Sequence, residues 1–204
     1  MADLTLHLAF PSRGITVLWM LEELGQRYDM QVLDLSKREH KTAEFLAMNP
    51  MGRVPVLRHR DQYISESVAI CMYLADAFPE KGLNVPLGHR DRGRYLQWIL
   101  FGPATMEGAI IWKAAGNAAA EYQPFASVDD VAATLAGAVR GRQFLVGDRF
   151  TAADVVVGSS IMWGTRMMPV LPALPELETY WQGLEERPAW RRTQQIFESR
   201  ATIS

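Results

Sequence analysis

The stretch that decides the fold is FLAMNPMGRVPVLRHRDQYISESVAI, residues 45–70. Two short alternating segments, VPVLRH and QYIS, are joined by a tight polar turn, which predicts a β-hairpin. Proline removes a ladder donor and is normally excluded from a central strand, so Pro55 is expected at a strand end. Glu66 and Ser67 then open an apolar run, SVAICMYLADAF, that predicts a helix.

The residues before this hairpin predict a β-α-β unit. LTLHLA (residues 4–9) alternates and predicts a strand, and the apolar spacing of ITVLWMLEELG predicts a helix that stops at Gly25. A second strand is predicted over residues 30–35 and a short helix over residues 41–49. The order β-α-β, helix, β-β-α is typical of a thioredoxin-like α/β domain, with a mixed four-stranded sheet between helices.

A segment rich in Pro, Gly and charge follows, and everything beyond it has helical patterns. We therefore predict a thioredoxin-like domain over residues 1–80, a linker over 81–91 and an all-α helical domain over 92–204. The first long helix of that domain has a possible break at Gly102-Pro103.

The motif FTAADV predicts a structural helix start. Thr151 is followed three residues later by Asp154, which is a capping-box arrangement with Asp in place of Glu. Phe150 and Val155 are spaced as a hydrophobic staple across the same start. We therefore assign Asp154 to folding and not to a site.

Composition excludes several classes of function. The 204 residues carry a net charge of −2, which gives no electrostatic reason to expect a nucleic acid or an anionic membrane as partner. The N-terminal residues lack the basic and apolar regions of a secretory signal. The single cysteine, Cys71, excludes an intrachain disulfide, and no Cys/His cluster has metal-ligand spacing. We expect a soluble, cytoplasmic protein without a metal.

Four motifs together resemble the glutathione S-transferase family: VLWMLEELG, NPMGRVPVL, ISESVAICMYLAD and FLVGDRFTAADV. The resemblance covers nearly the whole chain and is nearest to bacterial and theta-type members in the N-terminal region. It implies the glutathione S-transferase fold, glutathione as co-substrate and a homodimer. The implied activity is conjugation of glutathione to a small hydrophobic electrophile, or reduction of organic peroxides.

The resemblance also implies how the hairpin and the next helix bind glutathione. The bond before Pro55 is cis in this family, which lets the backbone of Val54 pair with the cysteinyl backbone of glutathione as an added strand would. Ser67 would bind the γ-glutamyl carboxylate at the helix N-terminus, and Glu66 would meet the ammonium. The alternative is that Glu66 and Ser67 only cap the helix.

The glycyl carboxylate of glutathione needs a cation. The candidates are His40, Lys41 and Arg53. His40 lies in a segment similar to one that contributes a histidine in theta-type members, and Arg53 directly precedes the Val-Pro pair. Lys41 belongs to a charge run that is typical of a solvated surface.

The group that activates the thiol is expected in the turn LAFPSRGIT, which contains neither Tyr nor Cys. Family members place a Tyr, Ser or Cys donor there, and His7 stands roughly at the tyrosine position. We predict that Ser12 donates to the sulfur while Arg13 adds positive potential, because both favour the thiolate. Thr16 is the alternative hydroxyl, and Ser12 as a plain helix N-cap is the alternative role.

Two further expectations complete the sequence-based hypothesis. Cys71 lies in an apolar stripe and is predicted to be an inert core thiol, which disfavours thiol-disulfide exchange. An apolar electrophile pocket is expected from four aromatic side chains: Phe10, Trp98, Phe101 and Trp112. The main rival to an enzyme is a non-catalytic relative that keeps the same fold as a binding or scaffold protein.

Overall fold

The computed structural model of the chain describes residues 3–117 and 124–201. They divide into two compact units, one formed by residues up to 81 together with those from 188 onward, and one formed by residues 82–187. The sequence prediction placed residues 188–201 in the helical domain. In the structure they form a helix that packs on the first unit.

The first unit is built on a four-stranded mixed sheet. Its strands are β1 (Leu4–Leu8), β2 (Tyr28–Val32), β3 (Val56–His59) and β4 (Gln62–Ser65), in the order β2-β1-β3-β4. β1 runs parallel to β2 and antiparallel to β3, and β3 is antiparallel to β4. This is the predicted thioredoxin-like sheet, although β2 begins two residues earlier than predicted because its register is set by pairing with β1, Leu4 opposite Tyr28.

Helices cover both faces of this sheet. α1 (Gly14–Leu24) and α3 (Ser67–Ala77) pack against each other on the face where Leu4, Leu6 and Leu8 are buried. A 3₁₀ turn (Glu39–Lys41) and the short α2 (Ala43–Met48) lie on the other face, where the rings of Phe45 and His7 are 6.4 Å apart. Gly25 ends α1 at φ +61°, as its predicted role as C-terminal glycine requires.

The last helix, α9 (Pro188–Ala201), packs along α1. The rings of Trp19 and Trp190 meet edge to face at 4.8 Å, and both are buried. At the rim, Arg192 donates from Nε to Glu22 Oε2 at 2.6 Å and from Nη2 to the Glu22 carbonyl at 2.9 Å. An aromatic core contact and a polar contact at its edge therefore join α9 to α1.

The second unit is entirely helical within its described residues. Its α-helices are α4 (Arg92–Phe101), α5 (Glu107–Ala114), α6 (Val128–Val139), α7 (Ala152–Met162) and α8 (Pro175–Glu185). The predicted break at Gly102-Pro103 is a five-residue π-helical segment between α4 and α5. Every residue of α7 is buried, so α7 is the central helix of this unit.

The thioredoxin-like N-terminal domain and the all-α second domain agree with the predicted fold class. Across residues 3–117 and 124–201, none of the helices combines the length and apolar character that a bilayer crossing needs.

Candidate functional site

Sheet topology brings the predicted glutathione-binding residues to one edge. β1, β2 and β4 run in one direction and β3 in the other, so the ends of the first three and the start of β3 share an edge. Ser12 follows β1, and Val54 precedes β3. Val56 pairs with Ser65, which places Val54 and Pro55 beside the start of α3. Ser12, the Val54–Pro55 pair and Ser67 therefore come from three neighbouring strand ends.

In the turn between β1 and α1, the Ser12 hydroxyl is held by a hydrogen bond that its oxygen accepts. Ser12 is half-buried, and its Oγ accepts the Gly14 N–H at 3.0 Å. A hydroxyl has one proton to donate besides its lone pairs, so the Ser12 O–H remains available to an anion. The helix itself begins at Gly14 with Arg13 as its N-cap residue, so Ser12 lies one position before the cap.

Gly14 is required for this arrangement. A Cβ at this position would lie 2.7 Å from Leu8 Cβ and 3.0 Å from Ser12 Oγ. α1 therefore approaches β1 at the distance that only a glycine allows, and this approach fixes the Ser12 hydroxyl. Gly14 had no predicted role, although a glycine at the start of a helix is a sign of close backbone approach.

Thr16 and Cys71 lie in the interior and not at this edge. Thr16 is fully buried, which excludes the alternative hydroxyl from direct contact with a bound thiol. Cys71 is also fully buried, and burial raises the pKa of its thiol to about 12, while the positive charge of Arg13 acts in the opposite direction. The interior position agrees with the expected inert thiol.

The Val54–Pro55 peptide bond is cis, as the family resemblance implied. The loop before it is held by Asn49, whose Nδ2 donates to the Arg53 carbonyl at 2.7 Å and whose Oδ1 accepts the Met51 N–H at 3.1 Å. Asn49 is only 4% exposed. Asn49 had no predicted role as a positioning residue, although an Asn before Pro is a recognised turn signal.

Lys41 and His40 contact the same loop. Lys41 Nζ donates to the Met51 carbonyl at 2.9 Å, which gives this residue a structural partner. A Cβ on Gly52 would lie 2.8 Å from the His40 carbonyl oxygen, so the 3₁₀ turn abuts the loop directly. His40 Nδ1 is buried and has no hydrogen-bond partner among the described residues. The Arg53 side chain, which follows Gly52 in this loop, is exposed.

The start of α3 is the strained point of the site. Glu66 has φ +68° and ψ +113°, outside the regions that an L-residue with a side chain ordinarily adopts. Such a conformation costs about 1–3 kcal/mol and occurs most often at ligand sites. Ser67 is the first helical residue, and no side chain caps α3. The alternative of simple capping by Glu66 or Ser67 therefore has no hydrogen bond to support it.

The four aromatic residues expected at an electrophile pocket belong to different units. Phe10 is half-buried in the first unit, with its ring 5.5 Å from that of Phe197 on α9. In the second unit, Trp98 is 5% exposed and its ring lies 5.3 Å from that of Phe101. Trp112 is half-buried and lies 6.1 Å from the Phe125 ring. The Phe197 contact comes from a helix whose position the sequence did not indicate.

No group of three or more His, Cys, Asp or Glu side chains is arranged to hold a metal within residues 3–117 and 124–201. The candidate site consists of the half-buried hydroxyl of Ser12, the loop at the cis bond before Pro55 and the uncapped N-terminus of α3.

Comparison with known proteins identifies the family. Family models for the glutathione S-transferase N-terminal and C-terminal domains match residues 2–76 and 106–188. Glutathione S-transferase 1 of Schizosaccharomyces pombe is 35% identical over 160 residues, which cover 72% of this chain and 68% of that protein.

Two solved structures extend the likeness to the whole chain. The glutathione transferase URE2P6 of Phanerochaete chrysosporium, in complex with oxidized glutathione, is 26% identical with a TM-score of 0.80 over 100% of this chain and 98% of its own. The theta class glutathione S-transferase of Xanthomonas axonopodis pv. citri, with glutathione bound, is also 26% identical, with a TM-score of 0.79 over 95% and 97% of the two chains. The chain therefore belongs to the glutathione S-transferase family.

Proposed function

We propose that the protein is a glutathione transferase that binds glutathione at the strand edge and activates its thiol with Ser12. The observation that carries the proposal is the convergence of the Ser12 hydroxyl, the cis Val54–Pro55 bond and the uncapped start of α3 at this edge. Glutathione has a group to match each of them.

Glutathione would bind in an extended form along this edge. The backbone N–H and C=O of Val54 pair with the cysteinyl residue, as in strand addition. The γ-glutamyl carboxylate accepts from Ser67 at the N-terminus of α3, where the helix dipole favours an anion. The exposed Glu66 carboxylate binds the ammonium.

The glycyl carboxylate would meet His40 and Arg53. Both residues lie where the 3₁₀ turn abuts the cis-proline loop. The unpartnered Nδ1 of His40 gives this end a polar atom that still needs a hydrogen bond, and the exposed guanidinium of Arg53 supplies a permanent charge.

Catalysis would then consist of thiol ionisation followed by attack. Ser12 donates its proton in a hydrogen bond to the sulfur, and the charge of Arg13 adds to the field, so the thiol pKa falls and the thiolate fraction rises. In conjugation the sulfur forms a bond to the electrophilic carbon, and the leaving group departs with its electron pair. With a peroxide the sulfur attacks one oxygen, and the other leaves as an alkoxide that takes up a proton.

The resemblance to the family implies a small hydrophobic electrophile. Of the four aromatic residues expected to contact it, Phe10, Trp98, Phe101 and Trp112, the buried Trp98 offers little accessible surface, because it is 5% exposed. The resemblance to the family supports a cytoplasmic homodimer with a role in detoxification.

A second candidate is a non-catalytic glutathione-binding or scaffold protein. The absence of Tyr and Cys from residues 8–16 favours it, because only a serine and a threonine hydroxyl stand there and Thr16 is buried.

Calorimetry with glutathione, followed by thiolate absorbance of the bound complex across pH, separates the two. Binding with a thiol pKa clearly below that of free glutathione supports the transferase. Binding with an unshifted pKa supports a non-catalytic glutathione-binding protein. No binding contradicts both glutathione-dependent functions and favours a scaffold protein.

A further inference from the structure

The last helix of the chain contacts the turn that carries Ser12. Phe10 lies shortly before Ser12 in this turn, and its ring meets the ring of Phe197 on α9 edge to face. The ring centres are 5.5 Å apart and the ring planes are inclined at 79°. This is a favoured geometry for two aromatic rings, and such a pair stabilises beyond the area that it buries. α9 therefore has a specific contact with the turn and not only with α1.

The turn needs a contact on the N-terminal side of Ser12. On the other side, Ser12 Oγ accepts the Gly14 N–H at 3.0 Å, which joins the residue to the start of α1. Pro11, directly before Ser12, is exposed and has no N–H to donate. Phe10 is the next residue back, and its half-buried ring is held by Phe197. Ser12 is thus fixed by α1 after it and by α9 before it.

α9 can support the turn because its own position is fixed by other contacts. The rings of Trp190 and Trp19 pack edge to face at 4.8 Å, and both are buried. Arg192 donates from Nε to Glu22 Oε2 at 2.6 Å and from Nη2 to the Glu22 carbonyl at 2.9 Å. Phe197 lies about two helical turns after Trp190, so both rings project from the same face of α9. The helix that is anchored at Trp190 therefore presents Phe197 to Phe10.

From these contacts we propose that Phe197 is a positioning residue of the transferase site: through Phe10 it holds the turn from which Ser12 donates to the thiol. This inference rests on the proposed function of Ser12 and adds to it a residue of the last helix. A hydrogen bond weakens steeply when donor and acceptor lose their alignment. A looser turn therefore raises the thiol pKa of bound glutathione, while every group that binds glutathione is still present.

The first measurement is the thiolate absorbance of bound glutathione across pH in Phe197→Leu, which keeps an apolar side chain and removes the ring. The aromatic pair can transmit no more than its own energy, so we expect the thiol pKa to rise by about 0.5 to 1, which is less than in Ser12→Ala. Below the thiol pKa, glutathione affinity should stay within about twofold of that of the unaltered protein, because Val54 and Ser67 are unchanged.

The second measurement needs no glutathione. Hydrogen exchange of the Gly14 amide reports on its bond to Ser12 Oγ in the free protein. In Phe197→Leu this amide should exchange about 2- to 10-fold faster, which is the range that the loss of one aromatic pair allows. The indole resonance of Trp190 should stay in place, because the contact with Trp19 still holds α9 on α1.

Two matched variants separate this contact from a general loss of packing. Phe197→Tyr keeps the ring, so it should have the thiol pKa and the Gly14 exchange rate of the unaltered protein. Phe144→Leu removes an edge-to-face pair of similar geometry in the second unit, where the Phe144 and Phe150 rings are 5.9 Å apart. It should change neither quantity.

Three results would overturn the proposal: an unchanged Gly14 exchange rate in Phe197→Leu, faster exchange with an unchanged thiol pKa, or the same changes in Phe144→Leu. Failure of the proposed function gives a different pattern. In that case glutathione does not bind, or Ser12→Ala leaves its thiol pKa unchanged, while the Gly14 exchange rate still responds to Phe197→Leu. That pattern would overturn Ser12 as the thiol donor and support Phe197 as the residue that holds the turn.

Discussion

The starts of α3 and α7 use similar residues in opposite ways. Each combines a hydroxyl with a carboxylate, Ser67 with Glu66 in one case and Thr151 with Asp154 in the other. At α7 the capping box is formed and both residues are fully buried. At α3 no side chain caps the helix, and Glu66 adopts a positive φ with its side chain exposed. A helix N-terminus whose N–H groups are bonded by its own side chains has a structural role. A helix N-terminus with free N–H groups and a strained backbone is available to a ligand.

Asp154 shows how complete the satisfied case is. Its Oδ1 accepts from the Leu145 N–H at 2.9 Å and from the Tyr180 hydroxyl at 2.8 Å, and its Oδ2 accepts from the N–H and hydroxyl of Thr151. Burial raises the pKa of this carboxyl, while the hydrogen bonds act to lower it. One side chain therefore joins α7 to α8 and to the loop at Leu145.

The largest effect is expected from Asp154→Ala. It leaves several buried donors without an acceptor, each of which costs about 1–3 kcal/mol, so we expect a loss of roughly 3–5 kcal/mol in the free energy of unfolding. Urea denaturation measures it. Glu66→Ala is the matched change at α3 and should cost less than about 0.5 kcal/mol. Equal losses at both positions would contradict the contrast between the two helices.

The second effect concerns binding at α3. Ser67→Ala removes a hydrogen bond to a charged carboxylate, which is worth about 1.5–3 kcal/mol, so glutathione affinity should fall roughly 10- to 150-fold. Calorimetry measures it. The control is Ser127→Ala, because Ser127 Oγ accepts the Asp130 N–H at 3.0 Å as a true cap of α6. That variant should lose about 1 kcal/mol of stability and no affinity. If Ser67→Ala gave the same pattern as Ser127→Ala, Ser67 would be a cap.

α1 is an intermediate case. Ser12 satisfies the Gly14 N–H and still has a proton to donate. Ser12→Ala should therefore cost about 1 kcal/mol of stability and also raise the thiol pKa of bound glutathione. Thermal unfolding gives the first quantity and thiolate absorbance the second. A loss of stability with an unchanged thiol pKa would leave Ser12 with a structural role alone.

The sequence predicted those features that depend on local pattern. The hairpin, Gly25 at the end of α1 and the capping box at Thr151 each have a short-range signal. The cis bond before Pro55 came from the family resemblance and not from the residues by themselves.

Features that depend on distant partners were not predicted. The amphipathic pattern of α9 does not say which surface it covers, because its contacts with Trp19 and Glu22 lie about 170 residues away in the chain. The positive φ of Glu66 has no signal either, since the residue that normally marks such a conformation is glycine. The sheet face that carries His7 and Arg58 has a cavity because the six-residue α2 covers it only in part, and composition does not reveal how much a helix leaves uncovered.

The smallest predicted effect tests the strain at Glu66 directly. Glycine ordinarily destabilises a protein relative to alanine by about 0.5–1 kcal/mol, because it has more freedom to lose on folding. At φ +68° glycine should be the more stable of the two residues, since it lacks the Cβ that makes this conformation costly. We expect Glu66→Gly to be more stable than Glu66→Ala by about 0.5–1 kcal/mol in urea denaturation.

Replacement of alanine by glycine within α3 is expected to change the stability in the opposite direction. Ala69 is exposed on α3 in the helical conformation, so Ala69→Gly should lose about 0.5–1 kcal/mol. Both Glu66 variants remove the carboxylate proposed for the ammonium, and so both should weaken glutathione binding to the same degree. If Glu66→Gly raised the free energy of unfolding and weakened glutathione binding, the strained conformation of Glu66 would serve ligand binding and not stability. If Glu66→Gly were the less stable variant, as at Ala69, the backbone at Glu66 would carry no strain and the contrast with α7 would rest on capping alone.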